Sequence, residues 1–138
     1  MDIRLYRDSD AKGVIDLWRA DEPNPSSWND PQGSLDRKLS FQPDLLFVAE
    51  EEGRLIGTTM AGYDGHRGWI YAVVVDPDHR RKGIASSLVR EAEQALQKLG
   101  CLKVNLQVRA GNNAAVELYE SLGYGVEARV SMGKTLGR

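Results

Sequence analysis

The chain has one cysteine in 138 residues, Cys101, so it has no internal disulfide and suits a reducing compartment, where Cys101 serves as a small residue at a helix end. No apolar run approaches the ~20 residues needed to span a bilayer, and Met1, Asp2, Ile3 and Arg4 open the chain without a signal-peptide apolar region. Neither export nor membrane attachment is expected, and the cytoplasm is the default. There is no excess of basic residues: 18 Lys and Arg face 20 Asp and Glu, for a formal net charge of −2. A nucleic-acid-binding module needs an extended positive surface, and this balance disfavours one. No His, Cys or carboxylate set has metal-ligand spacing, so no metal is expected, and no Ser, His, Asp constellation points to a covalent hydrolase. Internal repeats, low-complexity tracts and interdomain linkers are also lacking, so residues 1–138 read as one domain with a real core, 41% of residues being hydrophobic.

The most informative stretch runs from Val73 to Leu88. The β-branched run Val73, Val74, Val75 suits a strand, and Pro77 ends its ladder. Ile84, Leu88, Ala92, Ala95 and Leu99 then recur at helical spacing, predicting a helix from about Lys82. The turn between is a helix N-terminus, where backbone N–H groups lack intrahelical partners and the peptide dipoles sum to a partial positive charge. Gly83 leaves room for an anion to approach those groups, Ala85 keeps the first turn open, and Ser86 follows. Arg80, Arg81 and Lys82 oppose the dipole, so a bound anion explains them better than helix stability does.

Elsewhere, Ile3 and Leu5 alternate as a short strand, and Asp8 precedes a helix carrying Val14, Ile15, Leu17 and Trp18. A loop rich in proline leads to a second short helix with Leu35 and Leu39 on one face. Strands over 45–50, 55–63 and 69–75 form an antiparallel meander, turning at 51–54 and at Asp64, Gly65. A strand over 102–108, a helix over 112–122 and mixed strands over 125–136 complete the chain. The long helix between the strands at 69–75 and 102–108 makes a crossover unit, so those two strands should run parallel. Trp18 and Trp69 read as packing residues.

Two segments carry a family resemblance. The run Val75 to Ala85 is similar to the Q/RxxGxG/A acetyl-CoA loop of the GNAT superfamily of N-acetyltransferases. The run Leu106 to Tyr124 resembles that family's sequence of strand, Asn, helix and LYExLGF/Y. The segments 28–31 and 62–68 resemble its small bacterial YpeA-like branch. The resemblance covers most of the chain and implies an α/β (α+β) fold, with a mixed central sheet of about six or seven strands flanked by about four helices. It also implies that the two parallel strands splay apart to admit the pantetheine arm of acetyl-CoA. Backbone groups of Val73, Val74 and Val75, the loop from Arg80 to Ser86, Asn112 and Tyr119 would hold this cofactor. Homodimers are common among similar proteins.

The activity implied is direct acetyl transfer to the amine of a small molecule or peptide. It needs a neutral nucleophile, a hydrogen-bond donor for a developing oxyanion and a proton for the departing thiolate. Positioning alone contributes roughly 7 to 11 kcal/mol in the best geometries. Tyr119 matches the family's proton donor, and an ordinary phenol pKa near ~10 keeps it protonated at neutral pH. An N–H near Val73 or Val74 is the expected oxyanion donor. Related ribosomal-protein alanine acetyltransferases carry a glutamate where this chain has Gln107, and an amide cannot accept a proton at useful pH. His66, Asp64 and Glu50 are the nearby alternatives as base, as is a water chain. Trp28, Tyr63, His66, Tyr71 and Gln107 are the expected acceptor-side residues. The absent glutamate leaves open a non-catalytic acyl-CoA sensor.

Overall fold

In the computed structural model, which describes residues 1–137, four strands meander antiparallel and a fifth joins in parallel. The elements are β1 (Asp2–Leu5), α1 (Ala11–Asp21), α2 (Pro31–Ser40), β2 (Leu46–Glu51), β3 (Arg54–Tyr63), β4 (Gly68–Val75), α3 (Ile84–Lys98), β5 (Val104–Leu106) and α4 (Asn113–Ser121). Strand order follows chain order, β1-β2-β3-β4-β5, and only β4–β5 is parallel. The crossover read from the long helix is therefore present, with α3 as its helix.

Helices cover both faces of the sheet formed by β1 to β5. Val14 and Trp18 of α1 cluster with Leu35 of α2, Leu46 and Val48 of β2 and Val74 of β4. On the opposite face, a Cβ at Gly57 would meet Leu88 of α3 at 3.0 Å and Ile84 at 3.3 Å, so the absence of a side chain lets α3 approach. The amphipathic logic of α3 holds: Ile84, Leu88, Val89, Ala92 and Leu96 are buried. α2 starts at Pro31 with Asp30 as its cap, the carboxylate accepting from the Gly33 amide at 2.9 Å.

Met1–Gln107 forms one compact unit and Val108–Arg138 a second. Within the second, the Asn112 side chain caps α4 by accepting from Ala115 N–H at 3.1 Å. Gly123, at φ +97°, closes the helix as Tyr124 N–H returns to the Tyr119 carbonyl at 3.0 Å.

The expectation of six or seven strands needs correction: among the described residues the sheet has five, and 125–136 contains no strand. Alternating Val126, Ala128, Val130 and Met132 is a strand pattern, but a strand exists only where its backbone finds a ladder, and here Val126, Val130 and Met132 stand 81–91% exposed. The fifth strand is shorter than read, and α3 starts at Ile84, two residues beyond Lys82, because Arg81 and Gly83 both take positive φ, which a helix cannot include.

Candidate functional site

β4 departs from ladder geometry where the chemistry was expected. Thr58 pairs with Val74 and Met60 with Tyr71, so the single residue Thr59 faces both Ala72 and Val73. This is a bulge, and Ala72 sits in it at φ +50°. A left-handed non-glycine residue costs on the order of 1 to 2 kcal/mol, and something must hold it. Thr58 does: its Oγ1–H donates to the Ala72 carbonyl at 2.9 Å while the same oxygen accepts from Trp18 Nε1–H at 2.9 Å. Trp18 is therefore more than the packing residue its apolar helix face implied.

Below the bulge the strand's edge opens. β5 pairs with β4 only at Gly68, Trp69 and Ile70, while β4 runs on to Val75. Asp76 N–H donates to the Ile56 carbonyl at 2.8 Å. By the two-residue alternation of an antiparallel ladder, Val74 also turns its backbone groups toward β3 and Val75 turns its own away. The splay implied by the family resemblance thus has a backbone counterpart.

After Val75 the chain is clamped, then released. Buried Asp76 accepts from Asp78 N–H at 3.0 Å and from the Arg54 guanidinium at 2.6 Å, and His79 lies 3.6 Å from Asp76 and from Glu51. Arg80, Arg81, Lys82 and Gly83 are exposed, and among the described residues none of the three cations forms an ion pair. Arg81 at φ +66° and Gly83 at φ +75° turn the backbone into the start of α3, where Ile84, Ala85 and Ser86 amides have no helical carbonyl to reach. A Cβ at Gly83 would meet nothing within 4 Å. Open amides, unpaired cations and empty space are what a pyrophosphate requires.

A cleft of about 510 Å³ opens between the C-terminal half of α2 and the β3–β4 hairpin. Tyr63 and Tyr71 line it together with Arg37, Lys38, Met60 and Trp69. Trp69 stacks on Tyr71 with ring centroids 6.4 Å apart, lining a wall rather than filling the core. The Gln42 side chain extends the ladder of β3, donating to the Tyr63 carbonyl at 2.7 Å and accepting from its N–H at 2.9 Å. Lys38 is buried, and its Nζ–H donates to the Ala61 carbonyl just past the end of β2. Its position three residues after Leu35 on the apolar face of α2 was the available signal.

Burial pushes the Lys38 ammonium down from the usual 10.5 to about 8. The unfolded chain holds a proton that the folded chain sheds between those values, so stability should rise as pH climbs from about 8 toward 10.5. At pH 7 the penalty is fully present. Lys38→Met removes it at the cost of one hydrogen bond, for an expected gain of about 1 to 2 kcal/mol in urea unfolding at pH 7. A flat pH profile together with a destabilised variant would count against this burial.

Trp28, His66 and Gln107 are not among the residues that line this cleft. Trp28 is 56% exposed in a single 3-10 turn and outside the cleft lining, its carbonyl accepting from Arg37 at 2.8 Å. His66 is exposed in the hairpin turn, and Gln107 is exposed beyond β5. As for bases, Asp64 accepts from Arg67 N–H at 2.7 Å and His66 N–H at 2.8 Å, which holds its carboxyl below the usual range. Asp64 is therefore not poised to take a proton. Glu50 is paired with Arg4 at 2.9 Å. In the second unit, Tyr119 meets Tyr124 edge-on at 5.9 Å, and burial raises its phenol pKa above the ordinary value. Among the described residues its hydroxyl has no hydrogen-bond partner, no group of three His, Cys, Asp or Glu could hold a metal ion, and no helix is long and apolar enough to cross a membrane.

An opened parallel strand pair, a bulge before it and an anion seat after it define an α/β protein that takes an extended anionic ligand between strand and helix. Comparison with known proteins agrees. The acetyltransferase (GNAT) family model matches residues 12–124, and the chain belongs to that family. An acetyltransferase of Pectobacterium atrosepticum is 44% identical over 137 residues, 99% of this chain and 96% of that protein. One of Sodalis glossinidius is 46% identical over 138 residues, with the same coverage. The fold is shared with the PaiA N-acetyltransferase of Thermoplasma acidophilum in complex with coenzyme A, at TM-score 0.79 and 21% identity, covering 94% of this chain and 92% of that one. It is shared also with an aminoglycoside N-acetyltransferase in complex with CoA, at TM-score 0.80 and 19% identity, covering 97% and 93%.

Proposed function

We propose that residues 1–138 act as one acetyl-CoA-dependent N-acetyltransferase domain, transferring acetyl directly to a primary amine of a small molecule or peptide. The strand-to-helix junction carries this reading: it combines an open β4 edge with an anion seat whose cations form no ion pair among the described residues. When bound, acetyl-CoA supplies the activated acetyl group as a thioester. The open edge offers the Val75 N–H and C=O and the Val73 C=O to the pantetheine amides. The amides of Ile84, Ala85 and Ser86, with Arg80, Arg81 and Lys82, hold the pyrophosphate. Alternation commits the Val74 amide to β3, which leaves Val73 as the N–H for the developing oxyanion. Asn112 keeps its amide N–H₂ for the cofactor, since only its oxygen is used in the cap. Tyr119, from its place in the family motif, gives its phenol proton to the departing thiolate. The reducing cytoplasm suits a chain whose one cysteine is unpaired.

One observation favours a second reading. Gln107 in place of a glutamate, with Asp64 and Glu50 already engaged, suits a module that binds acyl-CoA without acetylating anything. Titrating acetyl-CoA into the protein and following thiol release with a panel of primary amines separates the two. Micromolar binding with amine-dependent release is the expected result. Binding without release for any amine supports the sensor, and absence of binding overturns both.

A further inference from the structure

Among the described residues, the buried charges have ion-pair partners, with one exception. Asp10 pairs with Arg4 at 2.8 Å and Asp76 with Arg54 at 2.6 Å. Lys38, buried to 9% exposure, forms no ion pair among the described residues; one carbonyl, that of Ala61, accepts from it. A buried ammonium has three protons to place, and leaving charge unmatched away from water is costly. Lys38 lines the 510 Å³ cleft, and Arg37 lines it as well. The facing wall is apolar and aromatic, built from Met60, Trp69 and Tyr71. Asp64 is the one carboxylate of that lining, and its Oδ1 already accepts from two backbone amides.

Resting on the acetyltransferase reading, we propose that the missing counter-ion of Lys38 is a carboxylate on the acceptor, an amino-acid-like amine whose aromatic or apolar body lies along Trp69 and Tyr71. The register sets the span. Ala61 stands opposite Ile70, two residues from Ala72, a rise of roughly 7 Å along β4. A span of that order is bridged by one small acceptor that carries both the amine and the carboxylate, such as an amino acid. A single buried ammonium matches the single charge of a carboxylate; a phosphate dianion would call for more donors than the floor of the cleft provides. The lowered proton affinity of Lys38 fits a site that is completed, and fully charged, only when the anion arrives.

The test uses 3-phenylpropanoate and its neutral amide, 3-phenylpropanamide, titrated calorimetrically into the whole protein and into Lys38→Met. Titrations at pH 8.5 in two buffers of different ionisation enthalpy report proton uptake. The acid should bind wild type at least tenfold more tightly than the amide, with proton uptake. Lys38→Met should lose both the preference and the uptake. Arg37, Tyr63, Asp64 and Tyr71 also face this cleft and are common to both proteins, so the difference reads Lys38. Equal affinities for acid and amide, an unchanged preference in the variant or no proton uptake in wild type would each overturn the proposal. If Lys38→Met does not fold, the wild-type ratio and uptake decide alone. Parallel assays separate this from the parent reading: acetyl-CoA binding with phenethylamine acetylated as efficiently as phenylalanine overturns the acceptor class alone. No acetyl-CoA binding overturns the acetyltransferase reading itself.

Discussion

Replacing Gly83 and Ala85 together by glutamate should lower acetyl-CoA affinity at least a hundredfold and leave a folded protein. The reasons separate cleanly. Gly83 sits at φ +75°, so a side chain there is strained by about 1 kcal/mol or somewhat more, but its Cβ would meet nothing within 4 Å. The fold can absorb that cost. The ligand cannot absorb two carboxylates among the amides that would receive its pyrophosphate, where each added charge repels an anion and competes for the same N–H groups. Gly100→Glu is the control: it has the same left-handed conformation and open surroundings at φ +89°, but lies beyond the far end of α3, about 22 Å of helix away. It should cost similar stability and no affinity. Calorimetry gives the binding and thermal unfolding gives the stability. If the double variant binds within tenfold of wild type, the loop is not the pyrophosphate seat.

This loop was legible because its parts are signalled by residue types with strong local meaning: a β-branched run, a proline, a glycine and then apolar residues at helical spacing. The meander and the crossover were legible for the same reason. What stayed hidden depends on tertiary context. Nothing about alanine announces a positive φ, so the bulge at Ala72 became visible only with the register of β3 against β4 and the Thr58 hydroxyl on its carbonyl. Lys38 has apolar-face spacing from Leu35, but its burial and its bond to the Ala61 carbonyl of β3 became visible only in the fold. Trp69 and Tyr71 are two apart and share a face, but periodicity does not say whether that face meets a core or a cleft. At the C-terminus the reverse error occurs: alternation from Val126 to Met132 is clear, and no ladder forms there. Trp28 and His66 were assigned by their neighbourhood in the chain, and both stand outside the cleft lining: the Trp28 backbone carbonyl accepts from Arg37, and the His66 ring lies 3.1 Å from the Arg67 guanidinium.

Tyr119→Phe should reduce kcat by about a hundredfold or more, with acetyl-CoA affinity changed less than twofold. The substitution keeps the ring and its edge-on contact with Tyr124 and removes only the hydroxyl. Because that hydroxyl forms no hydrogen bond with any described residue, its loss leaves no internal acceptor unsatisfied, and stability should stay within about 0.5 kcal/mol. A loss of turnover is then a loss of proton donation and not of structure. The pH profile adds an independent check. Burial disfavours the phenolate, so Tyr119 keeps its proton above the ordinary tyrosine value, and the alkaline fall in wild-type kcat should begin above pH ~10. That limb should vanish in the variant, whose remaining rate depends on protonation of the thiolate by water. Unchanged kcat in Tyr119→Phe would remove the residue as the acid, and an alkaline limb persisting in the variant would assign that titration to another group. Within such a scheme the amine's own proton becomes the slower problem, because Gln107 cannot take it and Asp64 is held below the carboxylate range by the Arg67 and His66 amides. The acid limb of kcat/KM should therefore follow the acceptor amine, shifting as amines of different pKa are compared, and a limb that stays fixed across amines would point to a protein base instead.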